Sequence, residues 1–399
     1  MHDKKRSKLI VCLLLFSLCF SSFLPVTHKI QAQEINIPDI KAEAAVLMEF
    51  SSGDIIFSKN GSKILFPASL TKIMTLLLCY EAIQDGRVNW EDEVVVSQKA
   101  WETGGSQMFL EIGQRVSFKD LITGISTISA NDACVAVAEH LYGSEALFAQ
   151  EMNKKAQELG LINTHFQNAS GLHHPEHYTT AEDLAYLSRY FIDTYPEALK
   201  VNSQKEFTFN NIPQYNRNPL LGRFTGADGL KTGHTSEAGH CLVGTALQNG
   251  MRFITVVLKN ASPSERLQDS ETMLNYAFRN YTLYNIFSKD EIITTINVSK
   301  GKERQTELIV GEPVAVIIPF NRQDDLETTI NAPKSAKAPL KKGEALGSVE
   351  VYLDGKLLKE TPLITAKEIG KANIFTLFFR SIGNLFSSIW SKTAGRFFN

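Results

Sequence analysis

The chain has 399 residues, of which 43% are hydrophobic and 21% charged, and its formal net charge is −2. That length and apolar content suffice for two domains with proper cores rather than one. The near-balanced charge provides no basic field for nucleic acid.

At the N-terminus, Lys4, Lys5, Arg6 and Lys8 precede an apolar stretch from Leu9 to Leu24 and polar residues ending near Ile30-Gln31-Ala32. This is the pattern of a secretory signal over 1–32, with cleavage expected after Ala32. The apolar stretch is short and broken by Ser17, Ser21 and Ser22, which argues against a retained membrane anchor. Cys12 and Cys19 leave with the signal, and Cys79, Cys134 and Cys241 remain in apolar patterns, so buried free thiols are expected.

Ala44 to Phe50 reads as an apolar strand, Ser51-Ser52-Gly53-Asp54 supplies turn chemistry, and Ile55 to Ser58 completes a hairpin. Next comes Pro67-Ala68-Ser69-Leu70-Thr71-Lys72, opening an apolar run to Ile83 that has no polar side and is therefore expected as a helix enclosed by protein. Ser69 and Lys72 are three residues apart, a spacing that stacks a hydroxyl and an amine on one helical face. A base then sits beside a nucleophile in the first turn, where free N–H groups and the positive end of the macrodipole favour an anion. The pair alone is a weak motif, and what lies downstream gives it meaning.

From Asp92 to Pro196 the pattern is helical. Ser117-x-x-Asp120 caps a helix through Ile128, Asn131 opens one through Tyr142, Ser144 to Leu159 ends at Gly160, and Thr180-x-x-Asp183 caps another. Beyond Asp228 the period changes to two: Gly229 to Gly233, Cys241 to Leu247 and Arg252 to Leu258 read as strands, the last two joined by Asn249-Gly250. A helix from Ser264 to about Tyr281 closes this unit. Strands at both ends with helices between exclude an alternating βαβ pattern. The expected class is α+β, an antiparallel sheet with flanking helices and a helical block, over 33–283. Residues 284–366 carry short β segments and read as a small all-β domain, and 367–399 as an amphipathic helix. Its longest charge-free interval, Ser381 to Ser391, is half of what a spanning helix needs, so the helix should lie in the membrane interface.

Two motifs follow Ser69-x-x-Lys72 in order: Ser129-Ala130-Asn131 at a helix entrance and Lys231-Thr232-Gly233 on the first strand after the helical block. A Ser and an Asn there can relay a proton and fix a base or a substrate amide. A strand Lys-Thr-Gly offers a cation and a hydroxyl to a carboxylate, and its Gly lets a substrate backbone pair along the edge. The trio in this order is the signature of penicillin-binding proteins and class A β-lactamases.

With Asn163-Thr164-His165-Phe166 and Gly229 to Thr235 added, the chain resembles the low-molecular-mass penicillin-binding proteins that are D-alanyl-D-alanine carboxypeptidases. The resemblance implies the β-lactamase/penicillin-binding-protein transpeptidase fold and serine-type hydrolysis of peptidoglycan stem peptides ending in D-Ala-D-Ala, without metal or organic cofactor. It also implies acylation by β-lactam antibiotics. It places nucleophile and base on Ser69 and Lys72 and the second motif on Ser129 and Asn131. Carboxylate binding falls on Lys231 and Thr232 beside Gly233, the oxyanion hole on the backbone N–H groups of Ser69 and His234, and a further carboxylate contact on Arg266. Ala130 stands where some relatives have Gly. The location implied is the outer face of the cytoplasmic membrane, held through anionic lipids by the C-terminal helix.

Three alternatives compete. A DD-endopeptidase has the same motifs. A class A β-lactamase needs a Glu before the Lys-Thr-Gly strand, whereas the Glu-x-x-Leu-Asn of Glu271 to Asn275 follows it. A zinc metallopeptidase would use His173, Glu176 and His177 of His173-His174-Pro175-Glu176-His177, but Gly171 and Pro175 make that stretch a loop where the motif needs a helix.

Overall fold

The computed structural model describes residues 39–380 and 382. The stretch expected to be a secretory signal, and residues 381 and 383–399 of the expected C-terminal helix, lie outside the described residues.

Strands β1 (Ala44–Glu49) and β2 (Ile55–Lys59) form the expected hairpin. They join β3 (Ala227–Thr235), β4 (Gly239–Gln248) and β5 (Met251–Asn260) in an antiparallel sheet of order β2-β1-β5-β4-β3. The unbroken apolar character of β1 has a simple cause: both faces of the sheet are covered. Ala44, Val46 and Met48 enter the core shared with the helical block, while Ala45 and Leu47 pack with Phe253, Met273 and Leu274 under the closing helix.

The block comprises α1 (Lys72–Gln84), α2 (Phe118–Thr127), α3 (Asn131–Tyr142), α4 (Glu145–Glu158) and α5 (Ala181–Thr194), with α6 (Pro263–Asn280) on the other side of the sheet. Ser117, Ser144, Thr180 and Ser262 each accept a backbone N–H at a helix start, so the local polar signals set these boundaries. Helix α1 is buried on nearly every side, as its composition requires. It begins at Lys72, however: Ser69 rides on a preceding 3-10 turn, Ala68–Thr71. The region read as purely helical also holds the short strands Glu93–Val95 and Arg115–Ser117.

The β domain begins with β6 (Tyr281–Phe287), which pairs with β9 (Val314–Pro319). The remaining strands are β7 (Ile292–Ser299), β8 (Gln305–Val310), β10 (Leu326–Asn331), β11 (Ser335–Lys337), β12 (Ala345–Leu353) and β13 (Lys356–Thr365), in the order β10-β12-β13-β8-β7-β11. One pairing, β7 with β11, is parallel. The chain then runs back along this sheet, with Ile369 buried and Ala372 N–H donating to Lys300 O, before a helix opens at Ile374. Ile374, Phe375, Phe378 and Phe379 are all exposed on that helix.

Candidate active site

The trio converges. Lys72 Nζ stands 2.9 Å from Ser69 Oγ, 2.7 Å from Asn131 Oδ1 and 2.5 Å from Ser170 O. The orientation of Asn131 is fixed because its Nδ2 donates to Gly104 O at 2.8 Å, leaving Oδ1 to face the lysine. The Ser170 carbonyl and Asn131 Oδ1 can only accept, so a neutral Lys72 spends its two N–H groups on them and turns its lone pair toward Ser69 Oγ–H. Burial pushes the Lys72 amine down to about 8, and Arg217 acts in the same direction. Cys134 provides no counter-charge at neutral pH, because burial pushes its thiol up to about 12.

A cavity of about 500 Å³ opens in front of this group, lined among others by Ser69, Ser129, Thr232, Gly233, His234 and Arg266. Lys72, Asn131 and Lys231 lie behind its wall. Ser129 sits in the left-handed region at φ 63°, and its Oγ is buried with no hydrogen-bond partner among the described residues. Ala130 is fully buried in the core beside it, so its methyl group takes no part in the cavity.

Strand β3 passes against the Ala68–Thr71 turn that carries Ser69. A Cβ at Gly233 would stand 3.1 Å from Ser69 N and 3.0 Å from Pro67 O, which explains why the strand carries glycine there. Lys231 is 2% exposed, and its Nζ has one protein acceptor among the described residues, Thr232 O at 3.2 Å. Burial, then the charge of Lys72, pushes its amine well below the ordinary range. Arg266 reaches Cys241 O at 3.4 Å and leaves its Nε unpartnered, with its basicity lowered by burial. His234 stacks on His240, which also lines the cavity, at 4.1 Å between ring centroids.

Some groups at the site carry no motif. Arg217 lines the cavity from the connection between α5 and β3, a stretch without periodicity. Gly105 and Ser106 line it from a loop held by Asp132, whose carboxylate accepts the N–H groups of Met108 and Leu110. Ser170 O comes from a turn organised by Asn168 Oδ1, which accepts Gly171 N–H at 2.7 Å. The Asn168-x-x-Gly171 spacing is the one sequence trace of that turn.

His173, Glu176 and His177 do not converge. The stretch is a loop; His173 packs edge-on against Phe66, Glu176 accepts from Gln167, and His177 is buried against Thr71. Among the described residues no group of three or more His, Cys, Asp or Glu side chains is placed to hold a metal ion. Glu271 lies on α6 and pairs with Arg223 at 2.7 Å, away from the cavity.

The family model described as D-alanyl-D-alanine carboxypeptidase matches residues 30–262, and one described as the C-terminal domain of penicillin-binding protein 5 matches 281–371. The chain is similar to the D-alanyl-D-alanine carboxypeptidase DacF of Bacillus subtilis, 36% identical over 362 residues, covering 88% of this chain and 90% of DacF. Its fold is similar to that of penicillin binding protein 5 from Haemophilus influenzae, with a TM-score of 0.71 and 36% identity over 84% of this chain and 99% of that one. It is also similar to penicillin-binding protein D2 of Listeria monocytogenes in its ampicillin-bound form. That match has a TM-score of 0.56 and 33% identity over 60% of this chain and 100% of that one.

Proposed function

Since the chain belongs to the D-alanyl-D-alanine carboxypeptidase family, a serine-type hydrolase class with the penicillin-binding-protein fold, we propose that it acts through an acyl-enzyme on Ser69. Neutral Lys72 takes the Ser69 proton as Oγ attacks the penultimate D-Ala carbonyl of a stem peptide. The oxyanion forms against the N–H groups of Ser69 and His234. The proton passes through Ser129 to the departing D-Ala amine, and the peptide bond breaks. Water, deprotonated by Lys72, then hydrolyses the ester and regenerates Ser69. The terminal carboxylate is held by Thr232 and Arg266, with Lys231 supplying charge from behind the wall.

The observation that carries this reading is the lysine's set of partners: two obligate acceptors and one hydroxyl, which leaves the amine lone pair no other target than Ser69 Oγ. A β-lactam fits the same chemistry, its ring carbonyl replacing the peptide carbonyl; the Listeria relative was solved with ampicillin bound. A fluorescent penicillin should label the protein, and labelling of Ser69→Ala as strong as that of wild type would end the proposal. DD-endopeptidase action uses the same groups and is distinguished by feeding cross-linked and uncross-linked stem peptides.

The enzyme's place follows from its two ends. The N-terminal signal exports it, and the exposed apolar residues Ile374, Phe375, Phe378 and Phe379 begin a helix that rests in the outer face of the cytoplasmic membrane. Lys392 and Arg396 add attraction to anionic lipids. Among the described residues no helix is long and apolar enough to cross a membrane. Cutting after Ala372 keeps Ile369 in the β domain and should release a soluble, active enzyme; a cut protein that still sediments with vesicles would refute the tether.

A further inference from the structure

One histidine of the loop that spells a metal motif has another task. We propose that His177 is a positioning residue for the nucleophile: it donates from Nε2 to Thr71 Oγ1, which donates to Ala68 O, and this relay holds the turn that presents Ser69. The proposal rests on the reading of Ser69 as nucleophile.

The direction of each bond is fixed by the groups at its ends. Gln167 N–H points at His177 Nδ1 at 3.3 Å, so Nδ1 accepts and the ring proton sits on Nε2. Nε2 is 2.8 Å from Thr71 Oγ1. That hydroxyl passes its own proton to Ala68 O, also at 2.8 Å, a carbonyl that can only accept. His177 is 2% exposed and Thr71 fully buried, so water cannot replace either partner. Burial and the neighbouring His165, His174 and Lys72 push the imidazole down to about 3, which keeps Nδ1 an acceptor at neutral pH.

The turn needs holding. Ala68 adopts φ 46°, a left-handed conformation unusual for a residue with a Cβ, and such strain persists only where the surroundings over-determine it. The same loop grips the turn elsewhere. A Cβ at Gly171 would come within 1.9 Å of Ala68 O, so the loop backbone lies directly on that carbonyl, and Ser170 O binds Lys72. The loop is closed on itself by reciprocal backbone bonds between His165 and Tyr178 at 2.9 and 3.0 Å. One loop thus fixes the backbone before the nucleophile through His177 and the base after it through Ser170.

The test measures the rate of acylation by a fluorescent penicillin, with kcat and KM for a D-Ala-D-Ala peptide, in Thr71→Val, Thr71→Ser, His177→Leu and the Thr71→Val/His177→Leu double variant. A displacement of the nucleophile of about 1 Å costs on the order of 100-fold. Thr71→Val and His177→Leu should each acylate about 10- to 100-fold more slowly with KM within about twofold of wild type, and the double variant should be no slower than the worse single. Thr71→Ser, which keeps the hydroxyl, should return to within about threefold of wild type. Two independent structural losses would multiply instead, and multiplication overturns the relay. If His177→Leu does not fold, Thr71→Val with Thr71→Ser decides, since loss without rescue by Ser also overturns it. A wild type that penicillin fails to label overturns the acyl-serine reading and the relay together; normal labelling of wild type and of His177→Leu overturns the relay alone.

Discussion

The two walls of the cleft are built on opposite principles. On the wall formed by the Ala68–Thr71 turn and α3, the groups that hold Ser69 and its lysine are all partnered: Lys72 has three partners, Asn131 is held at both ends of its amide, and Thr71 is bonded twice, with Ser129 Oγ the one buried hydroxyl there left without a partner among the described residues. On the wall formed by β3, β4 and α6, Lys231 has one carbonyl, Arg266 has one long contact and an orphan Nε, and no ion pair to a carboxylate is formed by either among the described residues. The first wall is preorganised, so chemistry meets little reorganisation cost. The second keeps cations in low dielectric without counter-ions, a state that costs stability until an anion arrives. A substrate's terminal carboxylate is such an anion.

The sharpest way to break the contrast is to disturb the saturated wall. Lys72→Arg keeps a cation yet removes the amine that can become neutral near physiological pH. Acylation should fall by about 100- to 10,000-fold, the range for losing a general base. Wild-type acylation should itself follow the lysine. Its folded value lies near 8, below the ordinary 10.5, so the neutral amine is lost as pH falls through 8 and the rate should drop about tenfold per further unit. A rate independent of pH between 6 and 9, or near-normal acylation of Lys72→Arg, would remove the lysine from the role of base.

The unsatisfied wall should respond in the opposite sense. Lys231→Met removes a buried charge and keeps much of the volume, so the protein should gain about 1–2 kcal/mol while KM rises about tenfold or more, the exchange of function for stability expected at a strained site. The sign with pH is definite. Burial lowers the folded value, so the penalty is complete below that value and lifts as pH rises toward 10.5. The gain in Tm of Lys231→Met over wild type should therefore shrink under alkaline conditions. A variant less stable than wild type at pH 7 would show that Lys231 is satisfied after all.

The walls also differ in how far the sequence betrayed them. Ser69 and Lys72 were legible because residues three apart on a helical path share a face and two further motifs follow in order, and the 3-10 turn that replaces the first helical turn still brings the two side chains together. The sheet and helix block were legible from the change of period at Asp228 and from the caps at Ser117, Ser144 and Thr180. The parallel pairing of β7 with β11 was not, since register between distant strands has no local signature. Ser170 escaped because a backbone carbonyl acts there and its side chain does not. His177 was visible for the wrong reason: the spacing suggested a ligand, whereas the loop backbone separates it from His173 and turns it into the core.

Arg217 provides the finest test, because it belongs to neither extreme. It stands exposed at the mouth of the cavity, lowers the basicity of both buried lysines, and has no acidic partner among the described residues. A cation in such a place steers anions toward the site more than it holds them there. Arg217→Gln should therefore slow acylation by an anionic penicillin only about threefold at low salt, and the deficit should fade as ionic strength rises, because exposed charges are screened within about 8 Å at 0.15 M. The lysines should register the loss as well: with a positive neighbour gone, Lys72 holds its proton to higher pH, and the acid limb of the acylation profile should move upward. A deficit that survives 0.5 M salt would mean that Arg217 binds the carboxylate directly and belongs with Arg266. An unmoved acid limb would mean that its charge does not reach Lys72 across the cavity.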